Sequence, residues 1–436
     1  MTAPFNKIRV LDLTHVLAGP FATYQLAVLG AEVIKIEPPH EPDCVRTRGP
    51  DHYQNQQKSG INFRVQASNK KSITLNLKNP VGQDIFKRLA KTADVIVENY
   101  RVGALAALGL DYLSIKTINP KIIYCSITGF GQNNQRASVN AYDNVIQAAS
   151  GLMSQTASAY YGTAQSEQSR RPIKTGASFV DYTTGFAAAF AISSALFQRE
   201  HTQQGQYIDL AMFDTALMMM APEMSTEIYH QHQQKQPIQP YSNTADAKEH
   251  QTKVHQAEES INTETSSSFK KRKEAGLACY QTRCGYLMLG AFNFKQNQKL
   301  WQYFDVPEWS ELANWEDLYL ESDAMYHRLS HLLLEKTAAQ WEEIFHQLGI
   351  PAERVRTLAE AINMPHLKDR QLLYQLPKEP FEKAPVTVPV SPFQFDHHGP
   401  QIHSSPPKLC QHNKEIFMEL GLTESEIAEL EVSGII

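Results

Sequence analysis

The sequence has little net charge and few cysteines. It carries 41 Lys and Arg against 46 Asp and Glu, a formal net charge of -5 over 436 residues. Because proteins that bind the nucleic-acid backbone usually have an excess of basic residues, we expect no nucleic-acid partner. The five cysteines are odd in number and scattered. This set does not fit a disulfide framework and favours a reducing, cytoplasmic location.

Long apolar runs are also missing. The longest, at residues 186–197, is shorter than the roughly 20 residues that a membrane-spanning helix requires. The first residues, MTAPFNKIRVLDL, lack the apolar core of a signal peptide and lead directly into a strand-like run. With 42% hydrophobic and 20% charged residues, the composition is typical of a globular enzyme. We therefore expect a soluble protein with no membrane partner.

Short β-branched runs alternate with helical patterns in the first part of the chain. The predicted strands are residues 8–13, 32–37, 72–77, 94–98 and 122–128, and predicted helices between them include 81–91 and 104–115. This alternation predicts βαβ units and an α/β fold with a mostly parallel sheet. Because ligands bind at the carboxyl ends of such strands, residues that follow them, such as His15, Asn99 and Gly129, are candidate site residues.

The later part of the chain changes character twice. A long apolar helix is predicted at 181–200, and a strand, YIDLAM, follows it. Residues 230–275 are rich in Gln, Ser, Thr and Lys and poor in apolar residues, which predicts a long solvated segment. A hairpin is then predicted around 283–285, with helices near 299–304, 326–335 and 338–349. Two capping boxes, Thr357 with Glu360 and Thr423 with Glu426, predict further helix starts.

Asp181 stands at the start of the long apolar helix, directly before Tyr182-Thr183-Thr184-Gly185. One interpretation is a helix N-cap, a position where Asp is favoured. The other is catalytic: amides at a helix N-terminus favour the ionised carboxylate, and an ionised carboxylate in a sheltered pocket can act as a covalent nucleophile. The position alone leaves both interpretations open.

Other candidate motifs carry less information. The turn Gly129-Phe130-Gly131 lacks the third glycine of a dinucleotide fingerprint, and it predicts only a tight turn that a ligand can approach closely. His15 follows a strand that contains Asp12, and we interpret it as a residue that lines or supports a pocket. The histidines at 397, 398 and 403 have no regular metal-ligand spacing, so we expect no metal site.

Many stretches, in one order, resemble the class III CoA-transferases, a family that also contains the α-methylacyl-CoA racemases. They are VLDLTHVLAGPFAT, LGAEVIKIE, KKSITLNLKNPVGQ, ADVIVENYRVGALAALGL, INPKIIYCSITGFGQ, AYDNVIQAASGLMS, KTGASFVDYTTG, QREHTQQGQYIDLAMFDTAL and, near the C-terminus, LGLTESEIAEL. The resemblance covers most of residues 8–225 and, more loosely, residues 277–436.

This resemblance implies a fold and an assembly. The expected architecture is a Rossmann-like large domain built from both chain ends, a smaller α+β domain, and a homodimer of two interlocked rings. In this sequence the large, CoA-binding domain would comprise residues 1–205 and 346–436. Residues 206–229 would form a linker, 230–275 the polar segment, and 276–345 the small domain.

The resemblance also implies an activity, the transfer of CoA from an acyl-CoA thioester to a carboxylic acid. Asp181 matches the family's nucleophile, which forms an acyl anhydride and then an aspartyl-CoA thioester. Leu75 and Lys78 would lie near the adenine, and Asn99 and Tyr100 along the nucleotide or pantetheine. Arg101, Gly129 and Gly131 are further CoA-contact candidates, and Tyr142 would face the active site. No cofactor is implied beyond the CoA thioester that serves as substrate.

Two alternatives remain. Racemases of this family resemble one another in a Gly-His-Asp motif whose His pairs with the Asp as acid and base. The matching residues here are Ala141-Tyr142-Asp143, and a tyrosine with an ordinary pKa near 10 is a poor base at neutral pH. The argument favours the transferase over the racemase. The third possibility is a CoA-binding homologue without catalysis.

Overall fold

The structure is a computed structural model, and it describes residues 2–161, 171–235, 274–380, 382 and 384–436. The chain divides into two compact units. The first comprises Met1–Thr156, Pro172–Lys235 and Pro365–Ile436, and the second comprises Ala157–Arg171 and Gln236–Met364.

The first unit is organised around a six-stranded parallel sheet. Its strands are β1 (Arg9–Asp12), β2 (Glu32–Glu37), β3 (Lys70–Thr74), β4 (Val95–Glu98), β5 (Ile123–Thr128) and β6 (Gln206–Ala211). They lie in the order β3-β2-β1-β4-β5-β6, and every neighbouring pair is parallel. The prediction of an α/β fold with a parallel sheet is confirmed. In this order the connections reverse direction between β1 and β4, which is where doubly wound sheets bind ligands.

Helices cover both faces of this sheet. The helices of this unit are α1 (Ala18–Val28), α2 (His52–Gln56), α3 (Ile61–Arg64), α4 (Pro80–Thr92), α5 (Tyr112–Ile118), α6 (Asp143–Ala149), α8 (Phe179–Thr202), α9 (Met212–Met218) and α10 (Ala221–Lys235), and α7 (Leu152–Tyr161) continues into the second unit. Successive strand residues point to opposite faces. Val10, Val33 and Val95 therefore pack with α1 and α8, whereas Leu11 and Ile34 pack with α4 and α5. Burial on both sides explains why the strands are almost continuously apolar.

Residues near the C-terminus return to the first unit. They form α17 (His366–Asp369), β10 (Leu373–Gln375), β11 (Thr387–Pro389), α18 (Asn413–Glu419) and α19 (Glu424–Val432). The antiparallel pair β10–β11 packs over α1, where the Tyr24 hydroxyl donates to the Pro389 carbonyl at 2.7 Å. Phe417 and Ile427 join the cluster on the α4 face. Both ends of the chain thus contribute to one core.

The second unit has a three-stranded antiparallel sheet and its own core. The strands β7 (Cys279–Gln281), β8 (Tyr286–Leu289) and β9 (Ala352–Arg354) lie in that order. The helices are α11 (Phe294–Tyr303), α12 (Pro307–Ser310), α13 (Trp315–Leu320), α14 (Ser322–Leu332), α15 (Ala338–Leu348) and α16 (Leu358–Ala361). Trp301, Trp341 and Phe345 are fully buried among these elements. The predicted hairpin around 283–285 and both predicted capping boxes are confirmed.

Several boundaries differ from those predicted. The helix predicted at 104–115 is a short 3-10 turn, Ala106–Leu108, and α5 begins only at Tyr112, because Gly109 adopts φ 65° and ends the turn. Residues 206–229, predicted as a linker, contain β6, which pairs with β5 along its whole length. Residues 346–364 belong to the second unit, since β9 pairs with β8. Of the predicted polar segment, 230–235 extend α10, and 236–273 lie outside the described residues.

Among the described residues, α8 is the one helix long and apolar enough to cross a membrane by length and composition, with a mean hydropathy of 1.2. Such a signal is weak, because core helices of globular proteins also produce it. Val180, Ala188 and Ile192 are fully buried and pack in the cluster that includes α1 and the sheet. We therefore interpret α8 as a core helix of the first unit.

Candidate active site

A cavity of about 500 Å³ lies at the carboxyl ends of β2, β3 and β4. It is lined by residues 36–41 at the end of β2 and beyond it, 75–78 after β3, and Tyr100, Ala104, Leu105 and Leu108 after β4. Three predicted CoA-contact residues line it: Leu75 is buried, Tyr100 is half-buried, and Lys78 is exposed. Arg101 is exposed and does not line the cavity. The lining combines apolar residues with charged ones, among them Lys78 and Glu41, and its apolar part suits a flat apolar group while Lys78 can pair with an anionic one.

Asn99 and His15 join the ends of β1 and β4 at the edge of this cavity. The Asn99 side chain accepts from the His15 backbone N–H at 2.8 Å and donates to the His15 carbonyl at 2.8 Å. Because both ends of the amide are used, Asn99 serves to fix the backbone at His15. The His15 Nε2 atom lies 3.3 Å from the Tyr100 hydroxyl. Burial lowers the pKa of His15, so its imidazole is neutral, and burial raises the pKa of Tyr100 to about 12.

A buried network of charges fixes the loop that contains His15. Lys35 is 1% exposed and donates to the Thr14 carbonyl at 2.7 Å, with the Asp43 carboxylate 3.3 Å away. Asp43 also accepts from the Val16 N–H at 3.1 Å. Val16 has φ 71°, a strained conformation for a β-branched residue that only strong local contacts maintain. The loop between β1 and α1 is therefore held rigidly.

Asp181 lies in the first turn of α8, at its third residue. The N-cap is Ser178, so the N-cap interpretation of Asp181 is wrong. Gly185, one turn later, packs so closely on α1 that a Cβ there would lie 2.8 Å from the Ala18 carbonyl. Since α1 begins three residues after His15, the close helix contact connects the Asp181 turn with the loop at the cavity. The rings of Phe21 and Tyr182 meet edge to face at 4.9 Å in the same contact.

A second carboxylate accompanies Asp181. Asp143, the first residue of α6, is 7% exposed, and its Oδ2 accepts from the Val180 N–H at 2.9 Å and the Asp181 N–H at 3.1 Å. Burial and, to a smaller extent, the charge of Asp143 together raise the pKa of Asp181 to about 7. The sequence argument expects helix amides to favour the ionised form of Asp181. The pKa of Asp181 shifts in the opposite direction, because burial disfavours its charged form and two amides of this turn bind Asp143 instead.

The remaining predicted residues have other surroundings. Tyr142 is 65% exposed and precedes α6 as its N-cap residue. Gly129 is required for packing, because a Cβ there would collide with the Ala141 side chain. Gly131 adopts φ 86°, which favours glycine, and its N–H donates to the Thr128 hydroxyl. These residues shape the end of β5 beside α6, and none of them lines the cavity at Tyr100.

Sequence reasoning missed two acidic residues, Asp143 and Glu98. Glu98 ends β4, is 5% exposed, and accepts from the Tyr100 N–H at 2.8 Å. Its burial raises the pKa of its carboxyl to about 7. Glu98 could have been found from the sequence, because it is an acidic residue at the end of an otherwise apolar strand. Among the described residues, no group of three or more His, Cys, Asp or Glu side chains is arranged to hold a metal ion.

Comparisons with known proteins agree on one family. A profile for CoA-transferase family III matches residues 5–413. The chain is 30% identical over 446 residues to succinyl-CoA:glutarate CoA-transferase from Homo sapiens, covering 99% of this chain and 90% of that protein. It is 31% identical over 427 residues to acetyl-CoA:oxalate CoA-transferase from Acetobacter aceti, covering 97% of both.

Solved structures show the same fold. A CaiB/BaiF family protein from Brucella suis is 29% identical with a TM-score of 0.70, covering 96% of this chain and 100% of that one. A Mycobacterium tuberculosis protein is 23% identical with a TM-score of 0.76, covering 95% and 99%.

Proposed function

We propose a mechanism for a chain that belongs to CoA-transferase family III and is an acyl-CoA:carboxylate CoA-transferase: CoA passes between acids through covalent intermediates on Asp181. The observation that carries the proposal is the environment of Asp181, a partly buried carboxyl in the first turn of α8, connected through α1 with the loop at the cavity. A carboxylate sheltered from water in this way can act as a nucleophile.

The proposed reaction has four steps, and no proton is gained or lost overall. The Asp181 carboxylate attacks the donor thioester carbonyl, the C–S bond breaks, and a mixed anhydride and CoA thiolate result. The thiolate attacks the Asp181 acyl carbon, giving an aspartyl-CoA thioester and releasing the donor acid as its carboxylate. The acceptor carboxylate attacks this thioester, forming a second anhydride and freeing the thiolate again. The thiolate then attacks the acceptor acyl carbon, which gives the new acyl-CoA and restores Asp181.

We assign the CoA nucleotide to the cavity lined by Leu75, Lys78 and Tyr100. The apolar Leu75 surface and the Tyr100 ring suit an adenine, and the exposed Lys78 can pair with a phosphate. The rigid segment at His15 lies between this cavity and α1, so it suits the pantetheine that leads toward Asp181. The CoA thioester is the substrate itself, and the proposed steps require no further cofactor or metal.

We propose a short acyl-CoA as donor and a dicarboxylic acid as acceptor. The support is the set of names of similar proteins, which include succinyl-CoA:glutarate, acetyl-CoA:oxalate and succinyl-CoA–D-citramalate CoA-transferases. The cytoplasm suits this enzyme, because all five cysteines are free thiols.

The chain is also proposed to form a homodimer. Along α8, Phe186, Phe190 and Phe197 are 39%, 76% and 70% exposed. Their spacing of four and seven residues places them on one side of the helix, and a second copy of this chain would cover that apolar stripe. Phe190→Glu should shift the molar mass measured by light scattering toward the monomer. Leu113→Glu, on the isolated exposed Leu113 of α5, is the control, and an equal effect of both variants would contradict the assignment.

The test of the mechanism is interception of the intermediate. The enzyme is incubated with succinyl-CoA, treated with hydroxylamine or borohydride, and digested, and the modified peptide is identified by mass. We expect a donor-dependent modification at Asp181, transfer to glutarate or oxalate, and loss of both in a folded Asp181→Ala protein. A racemase would instead incorporate deuterium from water into a 2-methylacyl-CoA without modifying Asp181. A protein that only binds CoA would do neither.

A further inference from the structure

Asp143 belongs to α6, and its carboxylate accepts hydrogen bonds from backbone amides at the start of another helix, α8. Its Oδ2 accepts from Val180 and Asp181 N–H groups, and its Oδ1 accepts from Gln147 Nε2 at 2.6 Å. A helix of 24 residues is usually capped by its own N-cap side chain. Ser178 makes no such hydrogen bond, so the charged cap comes from α6.

Gln147 anchors this carboxylate to the segment that leads into α8. Besides its bond to Asp143, its Nε2 donates to the Thr175 hydroxyl at 2.9 Å. Its Oε1 accepts from the Thr175 N–H at 3.0 Å, and the Thr175 hydroxyl donates to the Ala177 carbonyl at 2.8 Å. Gln147 is fully buried. These bonds fix the Asp143 carboxylate, the approach to α8 and the Asp181 backbone as one unit.

We propose that Asp143 is a positioning residue for Asp181: it fixes the first turn of α8 and places a second carboxylate beside the nucleophile. The inference rests on the proposed function, in which the ionised Asp181 attacks the thioester. A carboxylate stabilised by helix amides is a poor nucleophile, because stabilising the anion lowers its basicity. Asp143 takes those amides for itself. Asp181 is left without their stabilisation and beside a like charge, which keeps its carboxylate reactive.

The other charged and titratable groups near Asp181 do not offset this effect. Among the described residues, no ion pair includes either carboxylate, and Asp143 is the one charged group that shifts the pKa of Asp181. Tyr182, on the same helix, is the neighbouring titratable group, and burial and then the Asp181 charge raise the pKa of Tyr182. The helix α1 packs against α8 near Asp181, and the residue of α1 that contacts Tyr182 is the uncharged Phe21. Asp209 on β6 and Asp214 on α9 do not shift the pKa of Asp181.

The test measures how fast Asp181 is acylated by succinyl-CoA in a single turnover between pH 5 and pH 9. The wild-type rate should fall below about pH 7, where Asp181 becomes protonated. Asp143→Asn keeps the shape and one acceptor but removes the charge. The acid limb of its pH–rate profile, where the rate falls as Asp181 becomes protonated, should move by about one pH unit or more to lower pH. At pH 5.5 it should then retain a roughly eightfold larger fraction of its own maximal rate than the wild type retains.

Two matched variants separate charge from packing. Gln147→Met removes the anchor and keeps the Asp143 charge, so the maximal rate should fall while the acid limb stays in place. Asp214→Asn removes an exposed carboxylate on α9, and both quantities should be unchanged. A merely structural Asp143 would give equal losses at every pH in both Asp143→Asn and Gln147→Met.

Each outcome decides the matter. If the wild type is acylated at Asp181 but its rate falls at the same acid pH as that of Asp143→Asn, the inference is overturned and the proposed function is left intact. If Asp143→Asn does not fold, the wild type decides alone: an acid limb near pH 4, the ordinary range of an aspartate, overturns the inference. A wild type that transfers no CoA and forms no Asp181 adduct overturns both.

Discussion

Replacing Asp181 with Asn should abolish CoA transfer and, at neutral and alkaline pH, make the protein more stable. The physical reason is the raised pKa of Asp181: above about pH 7 the folded protein must hold an ionised carboxylate that burial and Asp143 disfavour. In the unfolded chain the same carboxylate is solvated and far from Asp143. The amide of Asn is nearly the same shape and carries no charge, so the variant avoids this cost.

The magnitude follows from the size of the shift. The pKa rises from 3.8 to about 7, and at about 1.4 kcal/mol per unit the upper value is about 4 kcal/mol. Asp181 is partly exposed, so solvent screening reduces the figure to about 2 kcal/mol. For a unit of this size that corresponds to a rise of about 4 °C in the melting temperature.

The dependence on pH has a definite sign. A carboxyl whose folded pKa is raised destabilises the protein increasingly as the pH rises from its unfolded pKa, near 4, to its folded pKa, near 7. The advantage of Asp181→Asn should therefore be nearly constant above about pH 7 and fall to less than half of that value at pH 4.5.

Melting temperatures of both proteins at pH 4.5, 6 and 8, at one concentration and scan rate, measure this difference. The exposed-site variant Asp214→Asn is the control and should melt like the wild type. An Asp181→Asn protein that melts below the wild type at pH 8, or whose advantage does not change with pH, would refute the reasoning.

Three further substitutions test other parts of the first unit. Lys78→Ala should raise KM for acyl-CoA roughly fivefold with little change in kcat, because an exposed charge at the cavity rim binds without touching the reacting atoms; Lys121→Ala, outside the cavity, should leave steady-state kinetics unchanged. Asp43→Ala should lower the free energy of unfolding in urea by about 3–5 kcal/mol, because it removes the carboxylate that forms an ion pair with the buried Lys35. Gly185→Ala should cost about 1–3 kcal/mol, since the new Cβ would press on the α1 backbone. Gly176→Ala, which meets open space, is the matched control, and equal melting of the two alanine variants would show that α1 and α8 can separate freely.

The strands of the first unit could be predicted because their residues are apolar on both faces. Runs such as Val95–Glu98 are short, β-branched and bounded by helical patterns, so a parallel sheet covered on both sides follows from composition. The third strand is Lys70–Thr74, so it begins two residues and ends three residues before the predicted 72–77. In the structure Lys70 is 2% exposed and donates to Asp12 at 2.9 Å. The ion pair joins residues that are 58 positions apart, so no local sequence pattern reveals it.

Three of the predicted site residues lie together because they follow the ends of two strands of the parallel sheet. Leu75, Lys78 and Tyr100 follow β3 and β4, and the parallel order of the strands brings them to one cavity. Asn99 was predicted at the same edge, but both its amide oxygen and its amide nitrogen bond to the His15 backbone. Which polar groups already have partners depends on the tertiary structure, and spacing along the chain does not reveal it.

The case of Asp181 shows how such a partner can reverse a correct principle. A carboxylate in the first turn of a helix is normally stabilised by the free amides there, and from the sequence alone that argument favours an ionised Asp181. Asp143 lies 38 residues earlier, yet it accepts from two of these amides and adds its own charge. The amides therefore stabilise Asp143, while Asp181 has a pKa near 7. A helix N-terminus can thus stabilise one carboxylate, whose charge disfavours the ionised form of a second carboxylate beside it. The second carboxylate is then the more basic of the two.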